Sequence, residues 1–184
     1  MSLSFILKYA WRVAKRFNDQ HYFAFFWTST STHDYLNYPP QVDQTLSHIF
    51  DKLRRDNLLN NTILVFMGDH GPRRKTEFVD TAQGGFEKRL PYLSFVLPSW
   101  FERKYRLAVE NLRYNTRMLT THYDLHETLF DLTNLTRLEE DSIRQRTKER
   151  PPTSHSLFLP ISPNRDCKRA RIPQEFCVCL GQGV

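Results

Sequence analysis

An apolar run that ends in an acid and a histidine constrains this chain more than any other feature of its sequence. Residues 63–67, Ile-Leu-Val-Phe-Met, lead directly into Gly68-Asp69-His70-Gly71. A short, uninterrupted apolar run bounded by glycine is typical of a strand that is covered on both faces, as in a parallel sheet. The sequence therefore predicts a buried strand whose carboxyl end carries a carboxylate and an imidazole side by side.

The segments around this run alternate between helical and strand patterns. Residues 3–17 place apolar side chains on one side of a helix, and the aromatic segment 21–27 is typical of a buried strand. Pro39 and Pro40 open a second helix that ends before the run at 63–67. A polar loop is predicted over residues 72–85. It is followed by a further strand over residues 90–98 and helices over 100–114 and 121–132. Strand, helix and strand in this order predict an α/β fold with a mostly parallel sheet.

The end of the chain differs in composition from the rest. From residue 136 the apolar periodicity fades, so we expect an extended tail over residues 136–184 after a domain over residues 1–135. Cys167, Cys177 and Cys179 all lie in this tail, and such clustering favours a disulfide over scattered thiols. A zinc site is the alternative. The odd number leaves one cysteine unpaired, or paired with a cysteine outside this chain.

Two Asn-x-Thr sequons add to the expectation of a secretory protein. Asn60 and Asn134 each lie beside a predicted helix end, where a glycan could attach. We therefore expect localisation in the secretory pathway or outside the cell. The segment at 3–17 is interrupted by Lys8 and Trp11, so it is predicted to be an amphipathic helix and not a signal peptide.

Charge and hydropathy exclude two other classes of protein. The net charge of +6 is spread through helices and loops, without the interleaved basic and aromatic residues of a single-strand nucleic-acid groove. A basic nucleic-acid binder has only its charge in favour, and we expect no specific nucleic-acid partner. The sequence also holds no apolar stretch long enough for a transmembrane helix.

Asp69 and His70 are candidate metal ligands because of their position and their chemistry. In parallel α/β sheets, ligands bind beyond the carboxyl ends of the strands. A carboxylate with a neutral imidazole suits a divalent ion, with zinc or manganese preferred over calcium. Adjacent residues share one ion only off a regular strand, since strand neighbours point to opposite faces. The alternative is that Asp69 caps a turn and His70 is a polar loop residue.

Three segments in a fixed order carry a resemblance to a known family. They are LLNNTILVFMGDHG, GGFEKRLPYLSFVLP and THYDLHETLFDL. In this order the chain resembles the sulfatase-like members of the alkaline phosphatase superfamily. The cysteine-bearing tail and the segment STHDYLN are most similar to an uncharacterised animal branch of large secretory-pathway proteins, the DUF229-like proteins. The resemblance implies the C-terminal part of a three-layer α/β/α sandwich with a mostly parallel sheet.

The same resemblance implies roles for individual residues. Asp69 and His70 are implied to bind the metal, and His33 to contact a substrate phosphate or sulfate or to bind metal, with a structural loop histidine as the alternative. Asp34 is then a helix cap or an acceptor that orients His33. Arg89 is implied to neutralise an anionic substrate or to support its loop. Asp124 is expected first to interact with a helix dipole.

The resemblance implies a metal-dependent hydrolase of phosphoric or sulfuric esters. Its nucleophile, a Thr, a Ser or a modified Cys, is expected in a preceding half that this chain lacks, so the chain alone is expected to be inactive. That half, or a partner chain, would complete the site. If the sheet is incomplete, residues 21–27 are expected to expose an aromatic patch. The alternative function is a non-catalytic secreted glycoprotein domain that retains only the fold.

Overall fold

A computed structural model describes residues 3–29, 39–71, 81–149 and 153–179 of the chain. The chain forms two compact units, Met1–Ser99 and Trp100–Val184, which we call unit 1 and unit 2. Each unit is described by itself below. The boundary predicted between residues 135 and 136 is a different division, and it stays a prediction.

Unit 1 begins with two helices that pack against each other. Helix α1 (Leu3–Arg16) and helix α2 (Pro39–Arg55) confirm the helices expected there. The Trp11 ring of α1 lies 3.6 Å from the Lys52 ammonium of α2, and its indole N–H donates to Asp56 at 2.7 Å. The aromatic face thus attracts the cation while the ring N–H finds an acceptor.

The sheet of unit 1 contains strands β1 (Leu64–Met67) and β2 (Leu93–Val96). They pair antiparallel, with Leu64 opposite Val96 and Met67 opposite Leu93. Both strands lie where the sequence predicted them. The described residues contain no other strand, so the mostly parallel sheet and the three-layer sandwich are not seen in this structure. The connection over residues 68–92 is long enough for either direction, and local pattern therefore did not determine the pairing.

Helix α3 (Ala82–Arg89) lies between the two strands in sequence. The polar loop predicted to reach residue 85 is therefore wrong over residues 82–85. The reason is a helix cap, because the Thr81 hydroxyl accepts a hydrogen bond from the Gly84 backbone N–H at 3.1 Å. Helix propensity did not predict this helix, because two glycines lie in its first turn.

The aromatic segment before α2 does not form the predicted strand. Residues 21–29 have no regular secondary structure, and they make no backbone–backbone hydrogen bond within the described part of the chain. Phe26 contacts the Tyr9 ring of α1 edge-on at 6.1 Å. Phe23 and Phe25 are 77% and 66% exposed. One side of the segment therefore lies on α1 and the other faces solvent.

Unit 2 is a helical unit with a well-formed core. Its helices are α4 (Ser99–Lys104), α5 (Arg106–Asn115), α6 (His122–Leu132) and α7 (Glu140–Lys148). The helix predicted over 100–114 is therefore broken at Tyr105, whereas the one over 121–132 is confirmed. The larger apolar side chains of the core are Phe101, Val109, Leu125, Leu138, Ile143, Phe158 and Ile161.

The segment after α7 contributes directly to this core. Residues 156–159 and 161 are buried, although they form neither helix nor strand. Short 3₁₀ turns at Leu58–Asn60, Leu135–Leu138 and Gln174–Phe176 complete the described elements. No helix in the described ranges has both the length and the apolar character needed to cross a membrane.

Candidate metal centre

The candidate site begins where β1 ends. The Gly68 N–H donates to the Tyr92 carbonyl at 2.8 Å, which extends the pairing of the two strands by one hydrogen bond. Asp69 and His70 follow outside the ladder. Because they no longer alternate as strand neighbours do, their side chains can turn toward one another. The sequence placed the pair correctly at the strand end.

The polar atoms of the two side chains lie close to each other. Asp69 Oδ2 and His70 Nε2 lie 3.2 Å apart, and the side chains are 44% and 32% exposed. His70 Nδ1 lies 2.7 Å from the Gly71 carbonyl oxygen. A carbonyl only accepts, so Nδ1 carries the hydrogen, and Nε2 faces the carboxylate as an acceptor when the ring is neutral and as a donor when it is protonated. Two acceptors at this distance repel each other unless a proton or a cation lies between them.

The spacing of the pair fits a shared metal ion. Zinc binds histidine nitrogen at about 2.0–2.1 Å and carboxylate oxygen at about 2.0–2.2 Å in tetrahedral geometry, so two such ligand atoms lie roughly 3.3 Å apart. The 3.2 Å between Oδ2 and Nε2 matches this value. The Gly71 carbonyl fixes the tautomer that leaves Nε2 available, as acceptors behind metal-binding histidines generally do.

Gly71 is required by a close approach of two backbones. A Cβ on Gly71 would lie 1.9 Å from the Glu87 carbonyl oxygen and 2.6 Å from Lys88 Cα. The loop that carries the pair is thus packed directly against the last turn of α3. A Cβ on Gly68 would meet nothing closer than 3.8 Å. Close packing therefore explains why residue 71 is a glycine, but it does not explain why residue 68 is one.

Arg89 is the last residue of α3, and its guanidinium is turned along its own helix. Nη1 donates to the Gly85 carbonyl at 2.8 Å. Gly85 belongs to the same helix, so this contact tests neither of the two roles expected for Arg89. Contact with a substrate stays a prediction.

Further ligands for the pair are not provided by the described residues. Within the parts of the chain that the structure describes, no third His, Cys or carboxylate clusters with Asp69 and His70. His33 and Asp34 lie outside the described residues. Open grooves of about 640 Å³ on α1 and about 530 Å³ between α2 and the sheet are lined by other residues. The described residues therefore bring two candidate ligands together, and a metal site at this position stays a prediction.

Asp124 has a structural role. It closes a capping box with Thr121 at the start of α6, and its carboxylate is fully buried. Arg165 donates to both of its oxygens, at 2.7 and 3.1 Å. Arg165 was not predicted from the sequence, and no local pattern links it to Asp124 across the intervening residues. Burial and the nearby Arg165 lower the pKa of His155, whose backbone N–H also donates to Asp124.

The three cysteines lie together in unit 2. Cys167 and Cys177 form a disulfide, and Cys179 is free and exposed. The zinc alternative would need the two sulfurs that the disulfide already uses. Both sequon asparagines are exposed, and Asn134 Oδ1 accepts from the backbone N–H and the hydroxyl of Thr136. Attachment of glycans there stays a prediction.

Comparison with known proteins identifies a family but no activity. Neither the curated proteins nor the solved structures contain a match to the chain. A family model described as "Protein of unknown function (DUF229)" matches residues 2–183. Because this match spans nearly the whole sequence, the chain belongs to the DUF229 family, which is sulfatase-like.

Proposed function

We propose that this chain is the C-terminal portion of a metal-dependent, sulfatase-like or phosphoesterase-like hydrolase, in which Asp69 and His70 bind a divalent ion. Zinc or manganese is the preferred ion. The observation that carries the proposal is the 3.2 Å between Oδ2 and Nε2, with Nδ1 bonded to the Gly71 carbonyl. This spacing suits two ligands of one ion, because zinc holds carboxylate oxygen and histidine nitrogen at about 2.0–2.2 Å in tetrahedral geometry.

The chemistry follows from the ligands and from the ester. A bound divalent ion would act as a Lewis acid that offsets charge on the transferred phosphoryl or sulfuryl oxygens. Asp69 would bring a negative charge to the ion, and His70 would bring a neutral nitrogen whose orientation the Gly71 carbonyl holds. His33 and Arg89 are the proposed contacts for the anionic substrate. The nucleophile would come from residues outside this chain, so the chain alone is proposed to be inactive.

The exposed aromatic segment supports the proposal that the sheet is completed from elsewhere. Phe23, Phe25 and Trp27 alternate along residues 21–29 and are 77%, 66% and 57% exposed. Their backbone makes no sheet hydrogen bond among the described residues. An apolar row beside an unpaired backbone is what a strand presents when its neighbour is missing. A full three-layer sandwich would supply that neighbour.

Metal binding by the pair can be tested on the chain as it exists. We expect manganese to broaden the NMR resonances of the His70 ring at concentrations that leave the His126 ring unchanged. Zinc should shift the His70 Nε2 resonance while Nδ1 keeps its proton. Asp69→Ala and His70→Ala should each abolish the effect, because one remaining ligand binds the ion far more weakly than two.

His126 provides a matched control. It also stands beside an acid, with Nδ1 3.2 Å from Glu127 Oε1, but on the exposed surface of α6. If the two histidine rings respond to manganese alike, the pair at 69 and 70 is an ordinary surface contact and the hydrolase proposal fails. A longer product of the same gene should then also lack stoichiometric metal.

The alternative function is a non-catalytic secreted glycoprotein domain. It is favoured by the exposed sequon asparagines Asn60 and Asn134 and by the disulfide. Expression in a secretory cell, followed by glycosidase digestion and metal analysis, separates the two proposals. A glycosylated product of the longer gene that holds no metal at Asp69 and His70 would support the alternative.

A further inference from the structure

The cysteines of unit 2 form a cluster that contains one more sulfur than its disulfide uses. The sulfurs of Cys167, Cys177 and Cys179 all lie within 4.8 Å of one another. The two bonded cysteines are 8% and 7% exposed, whereas Cys179 is exposed to solvent. A free thiol thus lies beside a disulfide, close enough to reach it by a small movement.

The backbone holds the disulfide loop but leaves Cys179 outside it. The Ile172 N–H donates to the Cys167 carbonyl at 2.8 Å, and the Cys177 N–H donates to Gln174 at 3.1 Å. Both bonded cysteines are therefore fixed by local turns. Cys179 follows the last 3₁₀ turn and belongs to neither helix nor strand. Its approach to the disulfide breaks no described element.

We propose that these cysteines form a thiol–disulfide exchange site in which Cys179 is the nucleophile. The Cys179 thiolate attacks Cys167 Sγ, the Cys179–Cys167 bond forms, and the Cys167–Cys177 bond breaks. The electron pair of that bond leaves on Cys177 as a thiolate, which is then protonated by water. One disulfide and one thiol are present before and after, so the step needs no external oxidant or reductant.

Ring size selects Cys167 as the sulfur that is attacked. Attack on Cys177 would close a ring around a single residue, Val178, where the chain bends. So short a ring leaves the backbone little freedom to reach disulfide geometry. A bond between Cys167 and Cys179 instead closes a loop two residues longer than the present one. Cys177 is therefore the leaving group.

The exchange changes where the free thiol is exposed. In the structure the thiol is on exposed Cys179, whereas after exchange it is on Cys177, which is buried here. In the first form the free thiol is accessible to disulfides of other molecules. In the second form the free thiol is buried and other molecules do not reach it. The cluster thus acts as a switch of thiol accessibility that is independent of the proposed metal site.

The test is to locate the free thiol in the full chain. The protein is incubated at pH 8, quenched with acid, unfolded and alkylated with N-ethylmaleimide, and then digested with trypsin. The disulfide is reduced once the label is fixed. Lys168, Arg169 and Arg171 lie between the cysteines, so trypsin then separates Cys167 from the peptide that carries Cys177 and Cys179. Fragmentation of that peptide shows which of its cysteines is labelled. We expect label on Cys177 as well as Cys179, with the share on Cys177 rising during incubation.

Single substitutions provide the controls. Cys179→Ser should lose all labelling of Cys177, because no nucleophile remains. Cys177→Ser should form the Cys167–Cys179 disulfide and leave no free thiol. Label confined to Cys179 in the unsubstituted chain, or label that appears on Cys167, would each overturn the proposal. The measurement on the unsubstituted chain stands even if a variant fails to fold.

Discussion

Asp69 in unit 1 and Asp124 in unit 2 are carboxylates in opposite surroundings. Asp124 is fully buried and is neutralised by the guanidinium of Arg165, which is itself nearly buried. Asp69 is half-exposed and lies beside His70 Nε2. The carboxylate of Asp124 has a fixed countercharge inside the protein. The carboxylate of Asp69 lies where solvent and ions can reach it.

The same contrast extends to the apolar residues of the two units. Unit 2 fully covers large side chains such as Phe101 and Phe158, whereas the buried apolar residues described in unit 1 are Ala14, Ile49 and Leu58. Four of the exposed aromatic side chains described in unit 1 lie together in residues 21–29, namely Phe23, Phe25, Phe26 and Trp27. The difference teaches that unit 2 has the larger core of its own, as expected if the sheet of unit 1 is completed by another segment as proposed above.

The largest expected effect comes from breaking the buried ion pair of unit 2. We expect Asp124→Asn to lower the free energy of unfolding by about 3–5 kcal/mol, because Arg165 then stays buried without a countercharge. Urea unfolding measures the change. Glu140→Gln is the control, since it breaks an exposed pair with Arg144 and should cost less than about 0.5 kcal/mol. Equal effects of the two substitutions would contradict the structural role of Asp124.

A smaller effect is expected at Asn115, which ties the buried segment to α5. Its side chain donates to the Leu157 and Leu159 carbonyls and accepts from the Ile161 N–H. Asn115→Ala should cost about 2–3 kcal/mol, because buried backbone groups lose their partners. Asn111→Ala removes a single bond to Phe158 and should cost about 1 kcal/mol. A reversed order would mean that the segment is held by other contacts.

The pH dependence of stability should reveal His155. Burial and Arg165 lower its pKa in the folded state below the ordinary value of 6.5. The unfolded state therefore binds a proton first, and stability falls as the pH drops below 6.5, with a slope of at most about 1.4 kcal/mol per pH unit. His155→Gln should flatten this slope in unfolding experiments at pH 7.5 and 5.5.

The smallest effect on stability is expected in the aromatic row of unit 1. Phe25→Ser should change the free energy of unfolding by less than about 0.5 kcal/mol, because the side chain is already 66% exposed. It should reduce binding of the dye ANS to the folded chain. Phe158→Ser in the core of unit 2 is the opposite case and should lower the free energy of unfolding by about 3 kcal/mol. A large loss of stability from Phe25→Ser would mean that the row is packed in solution.

The helices and the candidate pair could be predicted from the sequence because their signals are local. Apolar periodicity placed α1, α2 and α6, and the Thr121 cap is visible in the sequence as a threonine followed by an acid three residues later. Asp69 and His70 were placed at a strand end by the apolar run alone. Helix α3 was missed because its local signals disagree. The Thr81 cap favours the start of a helix, whereas the low helix propensity of the two glycines in its first turn favours a loop.

Other features depended on contacts between distant residues. The antiparallel direction of β1 and β2, the pairing of Asp124 with Arg165 and the choice of Cys177 over Cys179 leave no periodic trace in the sequence. The close approach that requires Gly71 depends on where α3 lies. The burial of residues 156–159 is set by side chains of α5 and α6, so a segment that looked like an extended tail became part of a core.

The sequence by itself determined where α1, α2, α6 and the two strands lie, the family to which the chain belongs, and the acid and imidazole at the end of β1. Local backbone preference and side-chain period are sufficient for such features. Only the tertiary structure decided which charges are partnered, which sulfurs are bonded and which aromatic residues stay exposed. These outcomes depend on the free energy of contacts between residues far apart in sequence, and that free energy exists only once the chain has packed.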